Sequence, residues 1–200
     1  MHHPNLHEYF STLGRLAVAT QTTSADGTAI DVNGALAWMM EQAEGARSKR
    51  NKLMVVGNGG SAAIASHIAI DYTKNGGIPT QAFNDGAALT CLGNDLGYEN
   101  VFARQIEMFG RPEDLLIAIS SSGRSPNILA AVRAARATGC SVVTLSGFDA
   151  DNPLRRMGDL NFYVASHQYG FVEITHLGLC HAVLDTLMRS DASDVEAAFA

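Results

Sequence analysis

Twice in this chain a short, wholly apolar run ends in a turn of small, hydroxyl-bearing residues that opens straight into a helical pattern. The first copy is LMVVGNGGSAAIASH at 53–67 and the second is LLIAISSSGRSPNILAAV at 115–132. An apolar run bounded by such a turn reads as a strand buried on both faces, which requires helices above and below the sheet. Beyond residue 50 the whole chain keeps this alternation. Strands are predicted at 53–56, 80–83, 115–119, 141–145 and 160–164, with helical patterns near 60–74, 86–92, 98–109, 125–138 and 173–189. The pattern predicts an α/β fold with a doubly wound, five-stranded parallel sheet, its ligands beyond the C-terminal strand ends.

The first 48 residues read differently. An amphipathic helix is predicted over about 5–20, with Leu6, Phe10, Leu13 and Leu16 on one stripe, then a polar loop at 22–27 and a second helix over about 30–45. Two such helices cannot bury their apolar stripes by themselves, so residues 1–48 are expected to pack on the core or on a neighbouring subunit. The core domain is expected over 49–190 and a loose polar tail over 191–200. Met39 and Met40 read as packing residues, and His2, His3 and His7 as exposed.

Composition narrows the function. A net charge of −6 and the absence of a Lys/Arg block argue against nucleic acid as a partner; the cluster Arg47, Lys49, Arg50 and Lys52 reads as the solvated end of a helix. Cys91, Cys140 and Cys180 are far apart and odd in number, which points to reduced thiols and a cytoplasmic location rather than a disulfide framework. No apolar h-region opens the chain, and no apolar run is expected to span a membrane.

The two turns carry the chemistry. Gly57, Gly59 and Gly60 allow close backbone approach, and Ser61, Ser120, Ser121, Ser122 and Ser125 set hydroxyls beside helix N-termini, where N–H groups and the dipole favour an anion. GNGGS lacks both the GxGxxG spacing and the GK[ST] ending of nucleotide-binding loops. Neutral donors alone suit a single phosphate monoester on a small molecule. His67 and Asp71 lie i, i+4 on one helix face, and Glu173 and His181 lie two turns apart on the last helix. Two histidines and two carboxylates can form a tetrahedral Zn²⁺ site.

These residues resemble the SIS (sugar isomerase) domain, and within it the sedoheptulose 7-phosphate (phosphoheptose) isomerases, over about residues 50–189. The carriers are GNGGSAA at 57–63, His67, LGNDLGYENVFARQ at 92–105, ISSSGRSPNILAA at 119–131 and EITHLGLCH at 173–181. The resemblance implies a flavodoxin-like sheet and a homotetramer. It implies a phosphate cradle at Ser120, Ser121, Ser122 and Ser125, a sugar site at Asn58, Gly59 and Ser61, and Asp95 near the substrate.

One Zn²⁺ per subunit is implied on His67, Asp71, Glu173 and His181, with Asp71, His181 and Glu173 in proton transfer. The implied reaction interconverts sedoheptulose 7-phosphate and D-glycero-D-manno-heptose 7-phosphate through an enediol, supplying lipopolysaccharide or another heptosylated glycan. Two departures stand out: Asp71 occupies a position where the family has Glu, and Glu173 one where it has Gln. Arg124 is more basic than usual, and the segment 166–171 is atypical, with His167 at the ligand-binding end of the sheet. The alternative function is a non-catalytic SIS protein, either a sugar-phosphate sensor or an adaptor of the DnaA-binding type; a pentose or hexose phosphate isomerase is a weaker reading.

Overall fold

The computed structural model of the protein describes residues 5–198. Its centre is a seven-stranded sheet built from β1 (Gln21–Ser24), β2 (Ala29–Ile30), β3 (Leu53–Gly57), β4 (Thr80–Ala82), β5 (Leu115–Ser120), β6 (Ser141–Ser146) and β7 (Leu160–Tyr163). The spatial order is β2-β1-β7-β6-β5-β3-β4. The last five named in that order are the strands expected from the sequence, and they are mutually parallel. Taken alone they have the flavodoxin-like order, with the strand sequence reversing between β3 and β5.

The two additional strands correct the sequence reading. The stretch expected to be a polar loop is a hairpin whose β1 pairs antiparallel with the edge of β7, Thr22 opposite Phe162. Its residues are threonine-rich and polar, the character of a strand that closes a sheet edge. The N-terminal region therefore belongs to the sheet as well as to the helices around it.

Among the described residues seven α-helices flank the sheet: α1 (Leu6–Val18), α2 (Val32–Lys49), α3 (Gly60–Lys74), α4 (Gly86–Leu96), α5 (Ala103–Phe109), α6 (Pro126–Thr138) and α7 (Tyr169–Ala198). Strand alternation splits the core in two. Leu53, Val55, Leu115, Ile117, Ile119, Val143 and Leu145 face α2, α3 and α7. Met54, Val56, Leu116, Ala118 and Val142 face α5 and α6 on the other side. Helix α2 contributes Ala35, Met39, Ala43 and Ala46 to the first layer, so Met39 packs as expected. No residue of α1 is buried; it touches α7 through Tyr9 and Phe171, whose ring centroids are 4.6 Å apart, and leaves Leu6, Phe10 and Val18 exposed.

Helix α7 is longer than expected. Between Tyr169 and Arg189 it is long and apolar enough, by length and composition, to cross a bilayer, which the sequence reading did not anticipate. Val172, Cys180, Val183, Leu184 and Leu187 are nevertheless buried against the protein core. Its backbone stays helical to Ala198, across most of the expected loose tail, whose last two residues lie outside the described residues, as do His2 and His3.

Gly57 ends β3 where the chain doubles back into α3. A Cβ there would stand 2.6 Å from the Ser61 carbonyl carbon and oxygen, which are backbone and cannot rotate away. Gly57→Ala is expected to destabilise the protein by about 2 kcal/mol or more, read as a lower urea midpoint at unchanged m-value.

Candidate functional site

Because β3 and β5 are neighbours at the reversal of strand order, the turns that follow them open side by side. Together with the start of α7 they enclose a cavity of about 240 Å³ lined by Asn58, Gly59, Gly60, Ser61, Ile119, Ser120, Ser121, Ser122, Ser125, Tyr169 and Glu173. Seven of the eight residues expected to bind substrate or phosphate from the sequence therefore share one pocket. Asp95 is the exception: it is exposed on α4, bonded to Asn94 and facing Cys91, and does not line the cavity.

The serine turn gathers hydroxyls at the start of α6. Ser125 caps α6 from an extended backbone, Pro126 occupies the first turn, and the Ser125 hydroxyl makes no capping bond of its own. It lies 3.2 Å from the Ser120 hydroxyl, which also accepts from the Gly123 N–H. The Ser121 hydroxyl is buried and has no partner. An unpartnered buried hydroxyl is costly unless a ligand completes it. No Lys or Arg lines the cavity among the described residues; Arg124 turns away and pairs with Asp151 at 2.9 Å and Asp149 at 3.5 Å. Any phosphate held here is held by hydroxyls, N–H groups and the α6 dipole.

The glycine turn is held from the other side. Asn58 and Asn127 exchange side-chain hydrogen bonds of 2.9 Å in both directions, and the Tyr98 hydroxyl donates to Asn58 at 3.1 Å. The carboxylate of Glu173 lies against Gly60 at the start of α3, where any Cβ would collide with it. It is the only acidic side chain lining the cavity among the described residues.

The expected metal set divides. His67 Nε2 lies 3.2 Å from His181 Nε2 and 3.3 Å from the Asp71 carboxylate, and one donor atom from each residue falls within 4.8 Å of the others. Zinc bonds of about 2.0–2.1 Å in a tetrahedron place neighbouring donors about 3.3 Å apart, the size of the two separations from His67. Glu173 does not join the trio. Eight residues of helix separate it from His181, a rise of about 12 Å, and its side chain turns to the glycine turn instead.

His176 lies between these two groups in sequence but serves the fold. It is fully buried, donates Nε2–H to the Ser146 carbonyl at 3.1 Å, and burial pushes its pKa down to about 4. Tyr169 and Asn127 were not singled out from the sequence. Tyr169 stands four residues before Glu173 on α7, the one signal that places it on the same face.

Since the native His176 refuses a proton that the unfolded chain accepts below its usual value of 6.5, stability is expected to fall as pH drops from about 6.5 to about 4 and then to level off. The loss amounts to about 3 kcal/mol. Urea unfolding across that window checks it, and a His176→Gln variant should flatten the slope.

The family description "SIS domain" matches residues 16–147. The chain is similar to the phosphoheptose isomerase of Roseiflexus sp. (strain RS-1), 40% identical over 145 residues, which is 70% of this chain and 73% of that protein. It is also similar to the phosphoheptose isomerase of Pelobacter propionicus, 36% identical over 166 residues, covering 80% and 87% of the two chains. Among solved structures it resembles a phosphoheptose isomerase from Neisseria gonorrhoeae, with TM-score 0.78, 29% identity, and 91% and 96% of the two chains covered.

Proposed function

The chain belongs to the SIS-domain family and, within it, to the phosphoheptose isomerases, and from that membership we infer that it interconverts sedoheptulose 7-phosphate and D-glycero-D-manno-heptose 7-phosphate through an enediol. The observation that carries the phosphate end of this reading is the buried, unpartnered Ser121 hydroxyl in a cavity lined by neutral donors. Ser120, Ser121, Ser122 and Ser125 take the phosphate, while Asn58, Gly59 and Ser61 face the sugar.

Proton transfer between C1 and C2 is assigned to Asp71 and His181, with Glu173 at the glycine turn. Asp71 takes the proton α to the carbonyl, and His181 handles the proton on the neighbouring oxygen. His67, held 3.3 Å from Asp71, fixes the orientation of that carboxylate. Glu173, two turns before His181 on α7, faces the cavity and serves as a second carboxylate for proton exchange with the polyol oxygens. His67, Asp71 and His181 would hold the Zn²⁺, which when bound polarises the substrate oxygens.

The exposed apolar residues of α1, Leu6, Phe10 and Val18, support a homotetramer. Three free cysteines, two of them buried, support a cytoplasmic location, and the heptose product suits a lipopolysaccharide-type glycan.

The deciding experiment follows aldose phosphate formation from sedoheptulose 7-phosphate with metal-analysed protein. Turnover is expected, with one zinc per subunit. Asp71→Asn and His181→Ala are each expected to lower kcat by about a hundredfold or more. Ser121→Ala should raise KM with kcat nearly unchanged. Sugar-phosphate binding without turnover would favour the non-catalytic sensor. Glu173→Gln removes a negative charge from the cavity, so inorganic phosphate should bind several-fold tighter while kcat falls; unchanged phosphate affinity would place the anion elsewhere.

A further inference from the structure

Phe148, in the loop after β6, has φ +55°, a left-handed conformation that is an outlier for a bulky aromatic residue. Such strain persists only where the surroundings over-determine it, and it concentrates at functional sites. The surroundings here do so from four sides. The Phe148 N–H donates to the Ser166 carbonyl at 3.0 Å, and the Tyr163 hydroxyl donates to the Phe148 carbonyl at 2.8 Å. Gly147 donates its N–H to the Ser121 carbonyl of the serine turn at 3.0 Å. The fully buried Asn152 amide donates to the carbonyls of Gly147 and Asp149 at 3.1 and 2.8 Å. The ion pairs of Arg124 with Asp149 and Asp151 tie the same loop to the serine turn a second time.

What this conformation accomplishes is the placement of one ring. Phe148 meets Tyr169 edge to face at 4.9 Å, and His167 stacks on Phe148 at 5.7 Å with an interplanar angle of 21°. Tyr169 lines the phosphate cavity and, although Phe148 packs against its ring, is 63% exposed at the mouth. The cradle beneath it recognises only a phosphate, through donors that any phosphate monoester would satisfy. Discrimination by the carbon skeleton must come from the walls, and Tyr169 is the only aromatic side chain among those lining the cavity.

Resting on the isomerase reading above, we propose that Tyr169, propped by Phe148, is the specificity-determining wall of the site. Its ring lies along the C–H face of the carbon chain next to the phosphate and selects a phosphorylated polyol or ketose over phosphate alone. Phe148 is a positioning residue that acts through Tyr169.

The test compares wild type with Tyr169→Ala, Phe148→Gly and Phe148→Leu. Readouts are KM and kcat for sedoheptulose 7-phosphate, calorimetric affinity for sedoheptulose 7-phosphate and for inorganic phosphate, and thermal midpoint. Tyr169→Ala should weaken sugar-phosphate affinity about tenfold, the loss of one aromatic contact, and leave phosphate affinity within about twofold. Phe148→Gly should show the same split with its thermal midpoint kept or raised, because glycine adopts positive φ without strain. Phe148→Leu keeps a side chain without the aromatic edge and should give an intermediate KM.

Equal loss of phosphate and sugar-phosphate affinity would overturn the proposal, since it would mean damage to the cradle. No change in either affinity would overturn it as well. Absence of turnover in the wild type would refute the isomerase reading alone, because the two calorimetric affinities still decide whether the wall exists.

Discussion

The site depends on one topological constraint, the adjacency of β3 and β5 where the strand order reverses. Parallel strands joined by crossover helices all point their C-terminal ends the same way, so every turn that follows a strand lies at one edge of the sheet. At most positions the next helix covers that edge. Between β3 and β5 the chain leaves in opposite directions, β4 to one side and β6 to the other, and the edge stays open. The glycine turn and the serine turn, 60 residues apart in the chain, become two walls of one cavity for this reason.

The electrostatics follow from the same geometry. A phosphate in this cavity meets hydroxyls, N–H groups and a helix N-terminus instead of a fixed cation, because the one arginine in the serine turn is neutralised by Asp149 and Asp151. Neutral donors bind a single phosphate and release it, which suits an isomerase whose two partners carry the same phosphate. Glu173 adds the one negative charge to the lining, a departure from the amide the family resemblance led one to expect. Helix α7 connects this cavity to the His67, Asp71 and His181 trio, since Glu173 and His181 share one side of it two turns apart. Glu173 at the cavity and His181 in the trio thus sit at two levels of one helix.

The differences between expectation and structure have separate physical causes. The hairpin at Gln21–Ser24 and Ala29–Ile30 was missed because its residues are polar and its stability comes from pairing with β7, about 140 residues away. Residues of this kind have no local signal beyond that of a loop. Glu173 was expected beside His181 by resemblance, and helical spacing put the two broadly on one side. Spacing fixes the side of a helix that a residue occupies, but the neighbour fixes where a flexible side chain points, and here the bare backbone of Gly60 leaves room for the carboxylate. Asp95, expected near the substrate by resemblance, is exposed on α4 and does not line this cavity.

By itself the sequence determined the five buried parallel strands, the helices between them, and the small, hydroxyl-bearing make-up of the two turns. Those are consequences of local pattern: apolar runs must be covered, and glycine and serine before a helix leave its N–H groups free. The tertiary structure alone decided which turns face each other, which three of four candidate ligands converge, and that Phe148 is held at positive φ to brace Tyr169. These depend on strand order and on long-range packing, and no window of neighbouring residues encodes either.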